Sequence, residues 1–211
     1  DKSVPVSGGM GGGSADAAAA LIAANQIWQA NLTYAKLAKL AAKLGADVPF
    51  AINGGTAIGR EAGDVLESLP ELPELHWVLI PNSKGLSTPK VYLKLDDLRT
   101  RQGINPVRAP KPKVPEELLK ALETGDPRLV APLLHNDLQE AAIAMLPELQ
   151  QTLDYGKEVR ALRSIVSGSG PTVAMLALNK PDAERIAREM TQRGYLAITC
   201  FSPDSGARLE S

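Results

Sequence analysis

Apolar residues recur at helical spacing through "TYAKLAKLAAKLG", where Leu37, Leu40, Ala41 and Leu44 fall at i, i+3, i+4 and i+7. This pattern predicts an amphipathic helix with Thr33 as its cap and Gly45 as its stop. Ahead of it, "SVPVS" reads as a short strand. Ser14 is then placed to N-cap an alanine-rich helix running to about Ala30, because its hydroxyl can accept from free first-turn amides. After "GADVPFAI", Gly54 and Gly55 introduce "TAIGREAGDVLESL", two short strand-like runs around a Glu-Ala-Gly turn, which predicts a hairpin.

A charged, proline-bearing connector, "PELPEL" (Pro70 to Leu75), precedes the fresh apolar strand "HWVLIP" and divides the chain into 1–69 and 70–211. In the second part, "STPKVYLKLDDLR" opens with Ser/Thr and places Pro89 in a first turn, the signature of a helix start. "RQGINPVRAPKPKVP" is too rich in proline and basic residues to pack and reads as an exposed loop. Helices are expected from Pro115 to about Arg160. The order then becomes strand, "SGSG" turn, strand, a helix over Pro181 to Gln192, and a last strand in "YLAITCFS", which suits an α+β sandwich.

Composition narrows the class of partner. The chain has 211 residues, 44% of them hydrophobic, and a net charge of −1, so it can bury a core but lacks the basic footprint of a nucleic-acid or membrane-surface binder. A small molecule is the expected partner. Cys200 is the single cysteine, and with only His76 and His135 it leaves no material for a disulfide or a Cys/His metal site. A reducing cytoplasm is the expected setting. No apolar run approaches the ~18 residues of a membrane span, and the first residues do not read as a signal peptide. The chain lacks a starting Met and reads as if entered partway.

Within that frame the candidate chemistry lies in "SGGMGGGS", where five of the six positions from Gly8 to Gly13 are glycine. Without Cβ atoms, consecutive amides can converge on an anion, and the helix that follows adds the positive end of its dipole. The alternative is a tight turn needing positive φ, for which one or two glycines suffice. The loop is not a Walker A sequence, since no Lys precedes Ser14, and no strand with a ribose-binding acid follows at dinucleotide-fold spacing.

The stretch "PVSGGMGGGSADAAA" resembles the phosphate-binding loop of the GHMP kinases. "LGADVPFAINGGTAIGREAGD", "LSTPKVYLKLDD", "LLHNDLQEAA" and "IVSGSGPTVAMLA" are similar to later segments of one branch of that family, in the same order. That branch phosphorylates a cytidine-bearing sugar alcohol in isoprenoid precursor synthesis. The resemblance implies a two-domain α+β fold: part of an amino-terminal ATP-binding domain and a ferredoxin-like carboxy-terminal domain on the substrate side. It implies ATP and Mg²⁺ as cofactors, and nucleotide contacts from Pro5, Val6, Ser7, Gly8, Gly9, Met10, Gly11, Gly12, Gly13, Ser14 and Ala15. Ala15 stands where the family often has a second Ser, so hydroxyl contact falls to Ser14. The family also carries an amino-terminal segment with a Lys-x-Asn motif that is not found here. That segment is expected to be needed to complete the site.

Phosphoryl transfer to an alcohol needs that oxygen aimed or deprotonated, a task Asp47 can perform, and the resemblance implies that it is the catalytic residue. Its alternative is a turn-forming Asp between Gly45 and Pro49. Asp16 is read as a first-turn acid serving the helix dipole. Thr88 and Tyr92, spaced i and i+4, share one helix face; by resemblance the ring stacks on cytosine and the hydroxyl anchors substrate, while the residues alone favour a core tyrosine. Gly168, Ser169 and Gly170 form a hairpin turn that, by resemblance, packs beside the glycine loop. Asn136 and Asp137 are read as polar positions of a helical stretch, with a cleft-facing role and a solvated face or internal cap equally open. Another GHMP small-molecule kinase (homoserine, mevalonate or sugar) and a catalytically silent nucleotide-binding protein remain the alternatives.

Overall fold

The computed structural model describes residues 9–109 and 112–209. The expected strand "SVPVS" and the expected contacts Pro5, Val6, Ser7 and Gly8 lie outside the described residues. Among those described, residues 11–72 and 202–209 form one compact unit, and residues 9–10 and 73–201 form another.

The first unit is built on three helices. α1 (Gly12–Ile27) starts two residues earlier than Ser14, because Gly11 takes the cap position in the left-handed region at φ 65° and its carbonyl accepts from the Ala15 amide at 2.9 Å. Ser14 is therefore the third helical residue and not the cap. Asp16, expected in the first turn, is the fifth. The helix ends at Ile27, short of Ala30, as Gln29 turns to φ 50°. α2 (Tyr34–Leu44) follows its periodicity and buries Leu37 and Ala41. α3 (Val48–Asn53) is a short helix that the "GADVPFAI" segment did not announce.

Ala18, Leu37, Ala41, Val48 and Ile52 make the core of this unit, each large side chain contributing about 1.5–3 kcal/mol through burial. The hairpin appears as β1 (Ala57–Arg60) and β2 (Val65–Ser68), antiparallel with Ala57 opposite Ser68. Asn53, the last residue of α3, gathers these pieces: its Oδ1 accepts from the Tyr34 hydroxyl at 2.8 Å and the Ser68 hydroxyl at 3.2 Å.

Residues 204–207 close the unit by laying backbone against the end of α3. The Gly55 amide donates to the Asp204 carbonyl at 2.7 Å, and the Ala207 amide donates to the Ala51 carbonyl at 2.9 Å. A Cβ on Gly54 would stand 1.9 Å from the Gly206 nitrogen, and one on Gly206 would stand 2.0 Å from the Ile52 carbonyl oxygen. Gly54 also has φ 64° and ψ −163°, a region open essentially to glycine alone.

The second unit is a four-stranded sheet covered by helices. β3 (Leu75–Ile80) is followed by α4 (Thr88–Arg101), and then by α5 (Glu116–Thr124), α6 (Pro127–Val130), α7 (Gln139–Met145) and α8 (Glu148–Glu158). A hairpin of β4 (Arg163–Val166) and β5 (Val173–Leu176) leads to α9 (Lys180–Gln192) and β6 (Ile198–Ser202). The strand order β4-β5-β3-β6, with antiparallel β4-β5 and β5-β3 pairs, is the ferredoxin-like β-α-β-β-α-β arrangement. Its core runs from Val78, Ile80, Val173 and Met175 of the sheet to Leu149 and Leu153 of α8 and to Ile186 and Met190 of α9. The stretch from Pro115 to Arg160 is thus several short helices with breaks. Pro106–Arg108 adds a 3₁₀ turn to the proline-rich loop, where Val107 is exposed.

The clasp between Gly54 and Gly206 predicts a specific ranking of two neighbouring variants. Gly55→Ala, at φ 68° with nothing within 4 Å of the added carbon, should cost only about 1–2 kcal/mol. Gly54→Ala must also displace the 204–207 backbone and should cost at least about 3 kcal/mol in denaturant unfolding. Equal losses would mean that the close approach contributes nothing.

Candidate functional site

In the first unit, the glycine-rich start of α1 leaves a row of unused donors. The Ala15 amide is the first to reach back to an α1-side carbonyl, that of Gly11, so the amides of Gly12, Gly13 and Ser14 precede the helical ladder. The cap residue, Gly11, has no side chain to occupy them. Among the described residues, a Cβ on Gly11 or Gly13 would meet nothing within 4 Å, so space is open at these two positions. Backbone donors, a dipole end and free space are the features that suit an anion.

Asp47 stands at the N-cap of α3, with φ −87° and ψ −8°. Its carbonyl accepts from the Ala51 amide at 3.1 Å, and the neighbouring Val48 and Pro49 are buried, so the backbone that carries the carboxylate is fixed from below. The carboxylate makes no side-chain cap bond and is exposed. An anchored backbone with an unspent acceptor suits a group that must receive a proton or aim a hydroxyl.

In the second unit, the turn between β4 and β5 is held from three sides. Gly168 and Gly170 have φ 55° and 77°, and the Gly170 amide donates to the Ser167 carbonyl at 2.8 Å. Gly9 rests on this turn: a Cβ on Gly9 would stand 2.4 Å from the Gly170 carbonyl oxygen, and the Ser167 hydroxyl donates to the Gly9 carbonyl at 3.2 Å. On the α4 side, the Thr88 and Ser169 hydroxyls are 2.8 Å apart. Tyr92, one helical turn beyond Thr88, is 54% exposed, which removes the core reading of that residue.

Asn136 supplies the third support, and its role was not legible in sequence. It lies in a turn ahead of α7, not within a helix. Its Nδ2 donates to the Val166 carbonyl at 2.7 Å and to the Gly168 carbonyl at 2.8 Å, while its Oδ1 accepts from the Leu138 amide at 2.9 Å. Only the Asn-x-Leu spacing of a local Asx turn was available as a signal. Asp137 instead meets His135 at 2.7 Å and Arg99 at 3.3 Å. These three residues, with Arg163 and Glu140, line a pocket of about 300 Å³ whose positive and negative groups offset one another, so it offers no net field for a phosphate. On the loop that leads into α4, the Lys84 ammonium and then the Asn82 amide hold the Glu148 carboxyl below the usual carboxylate range.

The described residues contain no group of three or more His, Cys, Asp or Glu side chains able to hold a metal. None of their helices is long and apolar enough to cross a membrane.

A glycine-rich helix start and a ferredoxin-like sheet in one chain are features found together in small-molecule kinases. Residues 1–55 match the family described as GHMP kinases N terminal domain, and residues 118–196 match GHMP kinases C terminal. The chain belongs to the GHMP kinase family. Its relatives within that family include the 4-diphosphocytidyl-2-C-methyl-D-erythritol kinases of Paenarthrobacter aurescens strain TC1, 47% identical over all of this chain and 66% of the relative, and of Nocardia farcinica, 46% identical over 99% of this chain and 67% of the relative. The chain thus spans about two thirds of the length of the curated relatives it matches. A crystal structure of 4-(cytidine 5'-diphospho)-2C-methyl-D-erythritol kinase superposes with a TM-score of 0.78 at 30% identity, covering 97% of this chain and 70% of that one. Homoserine kinase from Cytophaga hutchinsonii, at 18% identity and a TM-score of 0.70, shares the fold.

Proposed function

We propose that this chain carries out the work of a 4-diphosphocytidyl-2-C-methyl-D-erythritol kinase, moving the γ-phosphoryl group of ATP to the 2-hydroxyl of 4-diphosphocytidyl-2-C-methyl-D-erythritol. The observation that carries the proposal is the row of amides at Gly12, Gly13 and Ser14 ahead of the helical ladder, with open space where a Cβ would stand on Gly11 and Gly13. The identity to curated kinases of that name supports the choice of substrate.

In the reaction the bond between the γ-phosphorus and its bridging oxygen breaks, a bond from the substrate hydroxyl oxygen to that phosphorus forms, and ADP leaves. Asp47 orients the hydroxyl and accepts its proton. The α1 amides hold the phosphates as charge shifts toward ADP. Tyr92 offers an exposed ring on which cytosine stacks, and the Thr88 and Ser169 hydroxyls present a polar pair within reach of the same helix face. Mg²⁺ would need only one or two protein oxygens beside the phosphates, a part the Ser14 hydroxyl in the first turn of α1 could take. When bound it neutralises charge on the transferred group.

We assign ATP binding to the amino-terminal domain, read from the sequence as residues 1–69, with residues 202–209 packed into the same unit, and substrate binding to the rest of the domain read as residues 70–211. The curated relatives are longer than this chain, and a lysine of the Lys-x-Asn motif expected from the family resemblance would add positive charge at the phosphoryl group. A single half-buried Cys200 suits a reducing, cytoplasmic setting, and small-molecule substrates, with no nucleic acid, suit the near-neutral charge.

Two measurements test this division of labour. Gly13→Ala adds a carbon that meets no protein atom within 4 Å, so the variant should be as stable as the parent or up to ~1 kcal/mol more stable. Its ATP affinity, measured by calorimetry, should fall at least about tenfold. Unchanged affinity would remove the cradle. In the active enzyme, Asp47→Asn should lower kcat about a hundredfold or more while substrate affinities stay within severalfold. A loss of affinity with kcat preserved would make Asp47 a binding residue instead.

A further inference from the structure

We infer that Asn136 is a positioning residue for the nucleotide loop, acting through the 167–170 turn on which Gly9 rests; the functional half of this inference depends on the phosphate-binding role given to the glycine loop. β4 is an edge strand, so the outward backbone groups of its last residue have no neighbouring strand to pair with. Two side chains from one short segment fill that edge. The Gln139 Oε1 accepts from the Val166 amide at 3.0 Å, and the Asn136 Nδ2 donates to the Val166 carbonyl at 2.7 Å. The second Asn136 donor crosses to the Gly168 carbonyl at 2.8 Å, fixing the angle at which the chain leaves the strand.

That angle matters because the next contact has no slack. Gly9 meets the Gly170 carbonyl with no room for a single added carbon, and the Ser167 hydroxyl reaches the Gly9 carbonyl at 3.2 Å. A turn free to tilt by a few tenths of an ångström would push on Gly9, which stands two residues before the cap of α1. Asn136 itself touches no glycine of the loop. Its effect passes through Val166 and Gly168.

Two variants separate this role from a merely local one. Asn136→Ala removes every bond. Asn136→Asp, ionised at pH 8, keeps the size and the acceptor for the Leu138 amide but loses both donors and sets a carboxylate against two carbonyl oxygens. If Asn136 only caps Leu138, Asp restores the parent's behaviour. If it braces the turn, Asp is no better than Ala.

In the full chain at pH 8, both variants should show at least tenfold faster hydrogen exchange at the Ser167 and Gly170 amides, with α8 unchanged. Both should show displaced amide resonances at Gly9 and Met10, and ATP affinity about tenfold weaker than the parent. Parent-like turn exchange, loop resonances and affinity in Asn136→Asp would overturn the inference, as would full ATP affinity in both variants. A parent chain that binds no ATP would defeat the phosphate-loop reading instead. The Gly9 and Met10 resonances would then decide the bracing alone, and unmoved resonances would overturn it.

Discussion

Backbone packed directly on backbone is the constraint on which both halves of the molecule depend. In the first unit, peptide groups of 204–207 lie against the end of α3, and glycine at 54 and 206 is what lets them meet. In the second, Gly9 lies on the carbonyl of Gly170 in the same manner. Each contact anchors an element next to a proposed reactive group: the six-residue helix that carries Asp47 at its start, and the strand of residues that enters the phosphate loop. A helix as short as α3 has little stability of its own. Its position is set by the buried Val48 and Ile52 at one side and by the hydrogen-bonded clasp at its end.

Rigid support below and unspent polar groups above is the shared design of these sites. Among the described residues the Asp47 carboxylate makes no cap bond and the Gly12 to Ser14 amides precede the helical ladder, while the Asp47 carbonyl is held by the Ala51 amide and the Gly11 carbonyl by the Ala15 amide. Such arrangements need no reorganisation when charge moves, which is where electrostatic catalysis gains most. The Thr88 and Ser169 hydroxyls differ, since they already bond each other at 2.8 Å, and a ligand would have to exchange one hydrogen bond for another.

Much of this was legible in the chain. The α2 periodicity, the Ser-Thr-Pro start of α4, the hairpin at Thr56 to Leu69 and the last strand-turn-strand-helix-strand run all follow from side-chain pattern, and the structure shows them. Errors arose where the decisive partner was backbone. Ser14 looked like a cap by residue type, but a left-handed Gly11 begins the helix earlier, which also moves Asp16 out of the first turn. Asn136 read only as a polar position of a helical stretch because its partners, Val166 and Gly168, lie thirty or more positions away. The pairing of Gly54 with Gly206 carries no local signal either, since each glycine looks like an ordinary turn residue until the chain has folded.

The capture of a nucleotide's phosphates by the amides at the start of α1 is the central claim, and amide resonances report on it directly. With a non-hydrolysable ATP analogue titrated into the isotope-labelled chain, the Gly12, Gly13 and Ser14 resonances should move most, saturably and together. An analogue that binds while leaving those three in place would contradict the assignment.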